Sequence, residues 1–299
     1  MIVAAMFLAV IGYLVFDAFM IAPAKFTTRY ESLYSQKIPV QLDGKKILFF
    51  SDLDYGTFMD ETRMTSLVRV INSSGADFVV FGGDLFDLQY PFTDEDKATV
   101  SSLLAQIEAP LGKFAVNGDT DCADEDTKNA VSDVLRDGDF ELLNNKVIRL
   151  RNKGSASIIL VGLENGLNGK QKIEDTYESV SRDAYVITVC HTPDTADELP
   201  GDLTDYMLAG HSHGGQANYF FGSLYTPAMA VEYMRGKHRI GNAFTLDISN
   251  GTGTTKKDVR FMANAEIVIY DLYRISPPEE KPEEEETPKE NSADSAPSE

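Results

Sequence analysis

Three short apolar runs, each ending in aspartate, constrain this chain more than any other feature. They are Ile47-Leu48-Phe49-Phe50-Ser51-Asp52-Leu53-Asp54, Phe78-Val79-Val80-Phe81-Gly82-Gly83-Asp84 and Phe114-Ala115-Val116-Asn117-Gly118-Asp119. Runs of this length and composition read as buried strands. Open α/β sheets build their sites at the carboxyl ends of such strands. The pattern therefore delivers several carboxylates to one edge of a sheet.

From Lys45 onward apolar runs alternate with amphipathic stretches. Strands are expected at 46–51, 77–82, 113–117, 157–162, 185–190 and 204–209, and helices near 58–73, 95–108, 124–136 and 171–181. Alternation of this kind implies a sheet covered by helices. After Gly214 the texture turns β-rich, with short strands expected at 217–221, 237–240, 244–249 and 265–272, which favours a second sheet packed on the first. No internal repeat is present.

The two ends differ from this body. Met1 to Ala24 is apolar apart from Asp17, and about 20 helical residues suffice to cross a hydrocarbon core. No basic region precedes it, unlike a cleaved signal peptide. It reads as a transmembrane anchor (1–24), with Asp17 near the headgroups. Lys25, Arg29 and Lys37 follow while nothing basic precedes, which leans towards a cytoplasmic domain. Residues 25–44 read as a juxtamembrane connector and 45–275 as the main domain. Residues 276–299 are rich in Pro, Glu and Ser, with nine acidic residues against two basic ones from Pro277 on, and are expected to be a disordered acidic tail. The formal charge of −20 excludes a nucleic-acid partner, because phosphate backbones recruit Lys and Arg.

Imidazoles are scarce and concentrated. Of four histidines in the chain, two lie in Gly210-His211-Ser212-His213-Gly214-Gly215-Gln216 and a third, His191, lies in Val189-Cys190-His191-Thr192-Pro193. Neutral imidazole suits first-row divalent ions, so with the aspartates these residues point to a metal enzyme. His238 matches nothing and reads as a surface residue. Cys122 and Cys190 have no ligand spacing and read as buried small apolar residues.

Taken together, these blocks resemble the calcineurin-like metallophosphoesterase superfamily, whose signature runs D-x-H, G-D-x-x-D, G-N-H-D/E, a lone H and G-H-x-H. Here the blocks are Asp52-Leu53-Asp54, Gly83-Asp84-Leu85-Phe86-Asp87, Gly118-Asp119-Thr120-Asp121, His191 and Gly210-His211-Ser212-His213, all in order. Gly214-Gly215-Gln216, Ser249-Asn250-Gly251-Thr252-Gly253-Thr254 and Val259-Arg260-Phe261 are similar to the membrane-associated branch, and the resemblance covers roughly 45–273. It implies an α/β fold of two sheets in a sandwich flanked by helices. It implies two metal ions, with Asp84 bridging, Asp52, Asp54 and His213 on the first and Asp119, His191 and His211 on the second. Asp87 would orient its loop. Such a pair, about 3.5–4 Å apart, clamps phosphoryl oxygens and acidifies a bridging water, whose hydroxide attacks the ester.

Two departures from the family pattern matter. Asp54 stands for the D-x-H histidine and Asp119 for the G-N-H asparagine, so four carboxylates would leave the loaded centre net negative where the family pattern leaves it positive. Oxygen donors favour harder ions, hence Mn²⁺ ahead of Fe or Zn. Thr120 stands for the G-N-H histidine, the family's candidate general acid, whose loss typically costs about 10²–10⁴-fold in rate. Asp121 is the alternative donor, so the expected catalytic residues are Asp84, Asp119 and Asp121. Substrates whose leaving group needs no proton, such as pyrophosphates, would suit this site. The resemblance thus implies a membrane-anchored hydrolase of a phosphodiester or pyrophosphate bond, acting on a small phosphorylated or lipid-linked substrate. The competing reading is a degenerate homologue that binds metal or a ligand as a scaffold with little turnover.

Overall fold

Each strand of the first buried run splits its side chains between two layers, and that split dictates the architecture. In the computed structural model, which describes residues 2–219 and 222–276, Ile47 and Phe49 point into a core between two sheets, while Leu48 and Phe50 point under helices. All four are essentially unexposed, as alternation demands of a strand covered on both faces.

The elements follow in the order α1 (Ile2–Phe16), β1 (Thr27–Ser35), β2 (Lys46–Phe50), α2 (Glu61–Ser73), β3 (Phe78–Phe81), α3 (Asp94–Ala105), β4 (Gly112–Ala115), α4 (Glu125–Asp137), β5 (Glu141–Leu142), β6 (Lys146–Leu150), β7 (Ile158–Gly162), α5 (Ile173–Tyr177), β8 (Val186–Val189), β9 (Tyr206–Ala209), β10 (Asn218–Tyr219), β11 (Gly222–Ser223), β12 (Gly236–Ile240), β13 (Phe244–Ile248) and β14 (Glu266–Arg274). One six-stranded sheet runs β1-β14-β2-β3-β4-β5 and the other β12-β13-β9-β8-β7-β6. Strands β2 to β5 are parallel, as are β7, β8, β9 and β13. The parallel runs therefore present their carboxyl ends together. Helices α2, α3 and α4 cover the outer face of the first sheet, through Leu67, Ile71, Val100, Leu104, Val131 and Leu135. Each of the three has a side-chain cap, from Asp60, Thr93 and Asp124, which satisfies an otherwise orphaned first-turn amide. The fold is thus a mixed α/β sandwich of two sheets flanked by helices.

Three segments differ from the sequence expectation. Residues 27–35, expected within a connector, form β1 and pair in parallel with β14 over nine residues, while Ile38 and Leu42 are fully buried. Tyr30, Tyr34 and other exposed side chains alternate with polar ones there, which masked an edge strand. Strands β5 and β6 were not anticipated; β6 pairs antiparallel with β7 as a half-exposed edge. The helix expected at 171–181 is a single turn, α5, tied to the sheet because the Tyr177 hydroxyl bonds Thr188 and Thr204. The acidic tail lies, from residue 277, outside the described residues.

The first helix stands apart. No side chain of α1 is buried, whereas a helix belonging to the domain core would be. Ile2–Ala24 as a whole is long and apolar enough to cross a membrane. Its last turns widen over Asp17–Ile21 and tighten at Ala22–Ala24, where Ala18, Ala22 and Pro23 become buried against the domain.

Candidate metal centre

Five strand ends converge at the shared carboxyl edge. Strand β2 runs into Asp52 and Asp54, β3 into Asp84, and β4 into Asp119, Thr120 and Asp121, all from the first sheet. From the second sheet, β8 delivers His191 and β9 delivers His211 and His213. The turns are tight. Asp52, Asp54, Asp84, His211 and His213 all have left-handed φ between 47° and 69°, a region that side chains with a Cβ seldom occupy. Strain of this kind persists only where the surroundings over-determine it. Gly118 is required here, because a Cβ on it would lie 2.0 Å from Asp84 Oδ1.

The side chains meet in two lobes. In one, Asp84, Asp119, His191 and His211 each offer a ligand atom within 4.8 Å of the others. His191 Nε2 is 3.2 Å from Asp84 Oδ2 and 3.3 Å from Asp119 Oδ1, and His211 Nδ1 is 2.8 Å from Asp119 Oδ1. In the other, His213 Nε2 lies 3.6 Å from both Asp52 Oδ1 and Asp54 Oδ2. His191 Nε2 stands 3.9 Å from Asp52 Oδ1 and links the lobes. All seven expected ligands are thus gathered in one place.

These residues fit a metal on their own chemistry. His191 donates from Nδ1 to the Gly82 carbonyl, 2.7 Å, and His211 from Nε2 to that of Ala228, 2.6 Å. Each ring is thereby fixed with its other nitrogen turned to the cluster, the usual support of a ligating imidazole. With each ring protonated only on its outward nitrogen, His191 Nε2, His211 Nδ1, Asp119 Oδ1 and Asp54 Oδ2 have no hydrogen-bond partner among the described residues. Buried polar atoms are ordinarily paired, so four unpaired lone pairs aimed at one space are suited to a cation. Asp52 is held from behind by Ser51 Oγ at 2.5 Å and by the His211 amide at 2.8 Å.

The electrostatics show the same need. Burial, with the negative charges of Asp84, Asp52 and Asp87, drives the Asp54 carboxyl well above its ordinary range. Burial opposes the charge on His191, but Asp84, Asp119 and Asp52 override it and hold the imidazolium well above its usual titration. Asp119 is also disfavoured as an anion by burial, and His191 and His211 outweigh this to bring its carboxyl below the usual range. His213 is pushed down to about 3 by burial and by the Arg260 guanidinium, and so stays neutral and able to ligate.

Several neighbours have other tasks. Thr120 donates from both its amide and its hydroxyl to Asp84 Oδ1, at 2.9 and 3.0 Å. Asp121 turns away from the cluster: its oxygens accept the amides of Leu85, Asp84 and Gly118, each at 2.8 Å, and burial with Asp84 lifts its carboxyl to about 6. It clamps the β3 and β4 loops together. Asp87 accepts the Gln89 amide and shapes its own loop. His238 lies on β12, bonded to the Arg235 carbonyl. Cys190 is buried and Cys122 half-buried, both free.

Neighbours outside the expected ligand set complete the site. Arg260 is fully buried and donates to the carbonyls of Gly251, Gly253 and Ala263, which pins the 249–254 loop over Asp52. Gln216 exchanges hydrogen bonds with Thr255 and Lys257, joining that loop to the histidine loop. The Tyr225 ring stands edge-on to His213 with centroids 5.3 Å apart. No local sequence signal marks Tyr225. Gln216 and Arg260 stand in the stretches that resemble the membrane-associated branch.

No family model matches the chain. Individual proteins do. It is 28% identical over 251 residues to an uncharacterized metallophosphoesterase, YkuE of Bacillus subtilis, covering 84% of this chain and 86% of that protein. It is 26% identical over 202 residues to the phosphodiesterase YaeI of Escherichia coli, covering 66% and 71%. It is 22% identical over 252 residues to a transmembrane protein with metallophosphoesterase domain from Danio rerio, covering 78% of this chain and 54% of that one. With its aspartates and histidines gathered at the strand ends, the chain is a homologue of these proteins named metallophosphoesterases.

Proposed function

We propose that the chain is a membrane-anchored phosphohydrolase with a binuclear metal centre, cleaving a phosphodiester or pyrophosphate bond in a phosphorylated small molecule or a lipid-linked substrate. The observation that carries this reading is the meeting of three imidazoles and four carboxylates at one edge with ligand atoms left unpartnered. Asp52, Asp54 and His213 would hold one ion, and Asp119, His191 and His211 the other. Asp84 stands between them, Oδ1 fixed by Thr120 and Oδ2 facing His191. Bound there, two divalent ions would neutralise the phosphoryl oxygens and acidify water for attack near neutral pH. Mn²⁺ is proposed ahead of Fe or Zn because four of the seven ligands are oxygen donors. Arg260, buried behind His213, offsets part of the negative excess of the added carboxylates.

The chain's own residues bear on which bond breaks. Thr120 spends its hydroxyl proton on Asp84, and Asp121 is occupied by three amides. Asp84 and Asp119 therefore stay as the proposed catalytic residues, while Asp121 positions the loops. With no acid in the G-N-H position, aryl and pyrophosphate leaving groups are favoured over alkyl ones. The same Thr120–Asp84 bond favours a second reading, a metal-binding scaffold with little turnover.

Ile2–Ala24 is proposed as the anchor, followed by one catalytic unit and the acidic tail, and the transmembrane name of one relative supports an anchor. A cytoplasmic face is proposed from Lys25, Arg29 and Lys37, although Arg29 and Lys37 pair with Asp247 and Asp205 inside the domain; reporter fusions at both ends test it. The deciding experiment is a panel with Mn²⁺: nitrophenyl phosphate, its bis-ester, an alkyl phosphodiester and a nucleotide sugar. Turnover of the bis-ester or nucleotide sugar that disappears in Asp84→Asn supports the enzyme. Metal binding without turnover on the whole panel supports the scaffold.

A further inference from the structure

A cavity of about 390 Å³ opens where the N-terminal helix meets the domain. One wall is the helix, through Leu14, Val15 and Phe19; the other is Leu224, Val259 and Phe261. The walls are joined by the Arg260 amide, which donates to the Ala18 carbonyl at 2.9 Å. The lining is almost wholly apolar, yet Phe19 stays 51% exposed and Leu224 44%, so neither wall closes the groove.

Along the chain, the groove comes within one residue of a neighbour of the metal cluster. Leu224 lines it, and the next residue, Tyr225, stands against His213. Consecutive Cα atoms lie about 3.8 Å apart, so one residue separates the apolar groove from a proposed ligand. Two exposed lysines mark this junction: Lys256 Nζ sits 4.9 Å from the Tyr225 ring centre, and Lys257 borders the groove. In a chain with 47 acidic and 27 basic residues, two adjacent lysines without an ion pair among the described residues suit an anion, and the groove suits an apolar tail.

We propose that this groove holds the hydrocarbon chain of a membrane amphiphile. Its phosphodiester or pyrophosphate would pass Lys256, Lys257 and Tyr225 to reach the cluster. The proposal rests on the phosphohydrolase reading and adds how the substrate is held: the helix that reads as an anchor is also one wall of the binding site. An uncharged lipid has no reason to prefer the rim with two lysines; a phosphorylated chain does.

Photolabelling tests binding without relying on turnover. The full chain is placed in bilayer discs of a phosphate-free galactolipid, with dodecyl phosphate carrying a diazirine near the chain end. Labelling is expected in the peptides spanning 214–224 and 257–261. It should fall about tenfold or more in Leu224→Asp and in Tyr219→Asp, because each puts a carboxylate beside the chain. It should be about tenfold weaker for the matching dodecyl alcohol, which lacks the charge for the lysines and metals. Label confined to α1, or equal labelling by the alcohol, overturns the groove. With Mn²⁺, KM for nitrophenyl alkyl phosphodiesters should fall by about threefold per added methylene until the groove is filled, and Leu224→Asp should flatten that slope. Turnover with a KM independent of chain length overturns the groove and leaves the hydrolase reading standing. Groove labelling without turnover at any chain length supports the groove and overturns the hydrolase reading.

Discussion

Thr120 decides how one oxygen of Asp84 is held. In the family's order its place belongs to a histidine; here a β-hydroxyl donates to Asp84 Oδ1 and leaves Oδ2 free for the cluster. Groups that orient a ligand typically govern about 10–100-fold in metal affinity. Thr120→Val is expected to weaken Mn²⁺ binding by about that factor, read by titration of the metal-stripped protein, whereas Thr120→Ser keeps the bond and the affinity. Equal affinity in both variants would sink this role. The seven candidate ligands are legible because they stand in the resembled signature's order after buried runs; residue type alone does not separate them from Asp87 and Asp121. What could not be read is how they are held. Left-handed φ at three aspartates and two histidines carries no local marker, since nothing in those residue types demands it. The carbonyls of Gly82 and Ala228 that aim the imidazoles come from distant segments.

Among the elements, β1 illustrates what local pattern misses. Its polar alternation resembles a linker, yet it closes the first sheet, and its Arg29 reaches Asp247 of β13 in the other sheet at 2.9 Å. Asp247 is fully buried and also accepts the hydroxyls of Tyr206 and Tyr270. Taking away one partner of such a pair leaves an uncompensated buried charge, at a cost of about 3 kcal/mol. Arg29→Ala is therefore expected to lower the unfolding free energy by about that amount in a urea titration, with Arg29→Lys recovering part of it. A loss near zero would mean that β1 is a connector after all. The N-terminal helix divides in a similar way. Removing residues 1–16 strips the side chains of Ile2–Phe16, all exposed, whereas removing 1–24 also strips Ala18 and Ala22 from the domain and frees the Arg260 amide. The shorter truncation should leave Tm nearly unchanged in neutral detergent. The longer one should lower it by several degrees, at about 2–4 °C per kcal/mol for a domain of this size.

For the whole molecule, the two sheets can share an edge only if the charges gathered there are neutralised. Helical cover and the inter-sheet core follow from patterns visible in the chain, but the crowding of carboxylates is a consequence of bringing both sheets together. Metal-stripped protein must neutralise them with protons. His191 titrates above the ordinary 6.5 because of Asp84, Asp119 and Asp52. A raised folded value contributes stability that is full below the unfolded value and is lost as pH rises through the folded one. Asp54, raised by burial and its acidic neighbours, acts in the same sense. His213, lowered to about 3 by burial and Arg260, acts oppositely, but only as pH falls below 6.5, where it works against Asp54. Above pH 6.5 the sign is therefore unopposed within this cluster: the stripped protein loses stability as pH rises, by about 1.4 kcal/mol per pH unit for each proton released. Mn²⁺ bound at the cluster would replace those protons and remove that slope, since ligation requires the deprotonated forms. Calorimetry of stripped and Mn²⁺-loaded protein between pH 6.5 and 9 is expected to show a Tm gap that widens with pH by about 3–5 °C per unit. A gap that stays constant across that range would mean that protons and metal do not compete for the same atoms, and the cluster would lose its claim to be a metal centre.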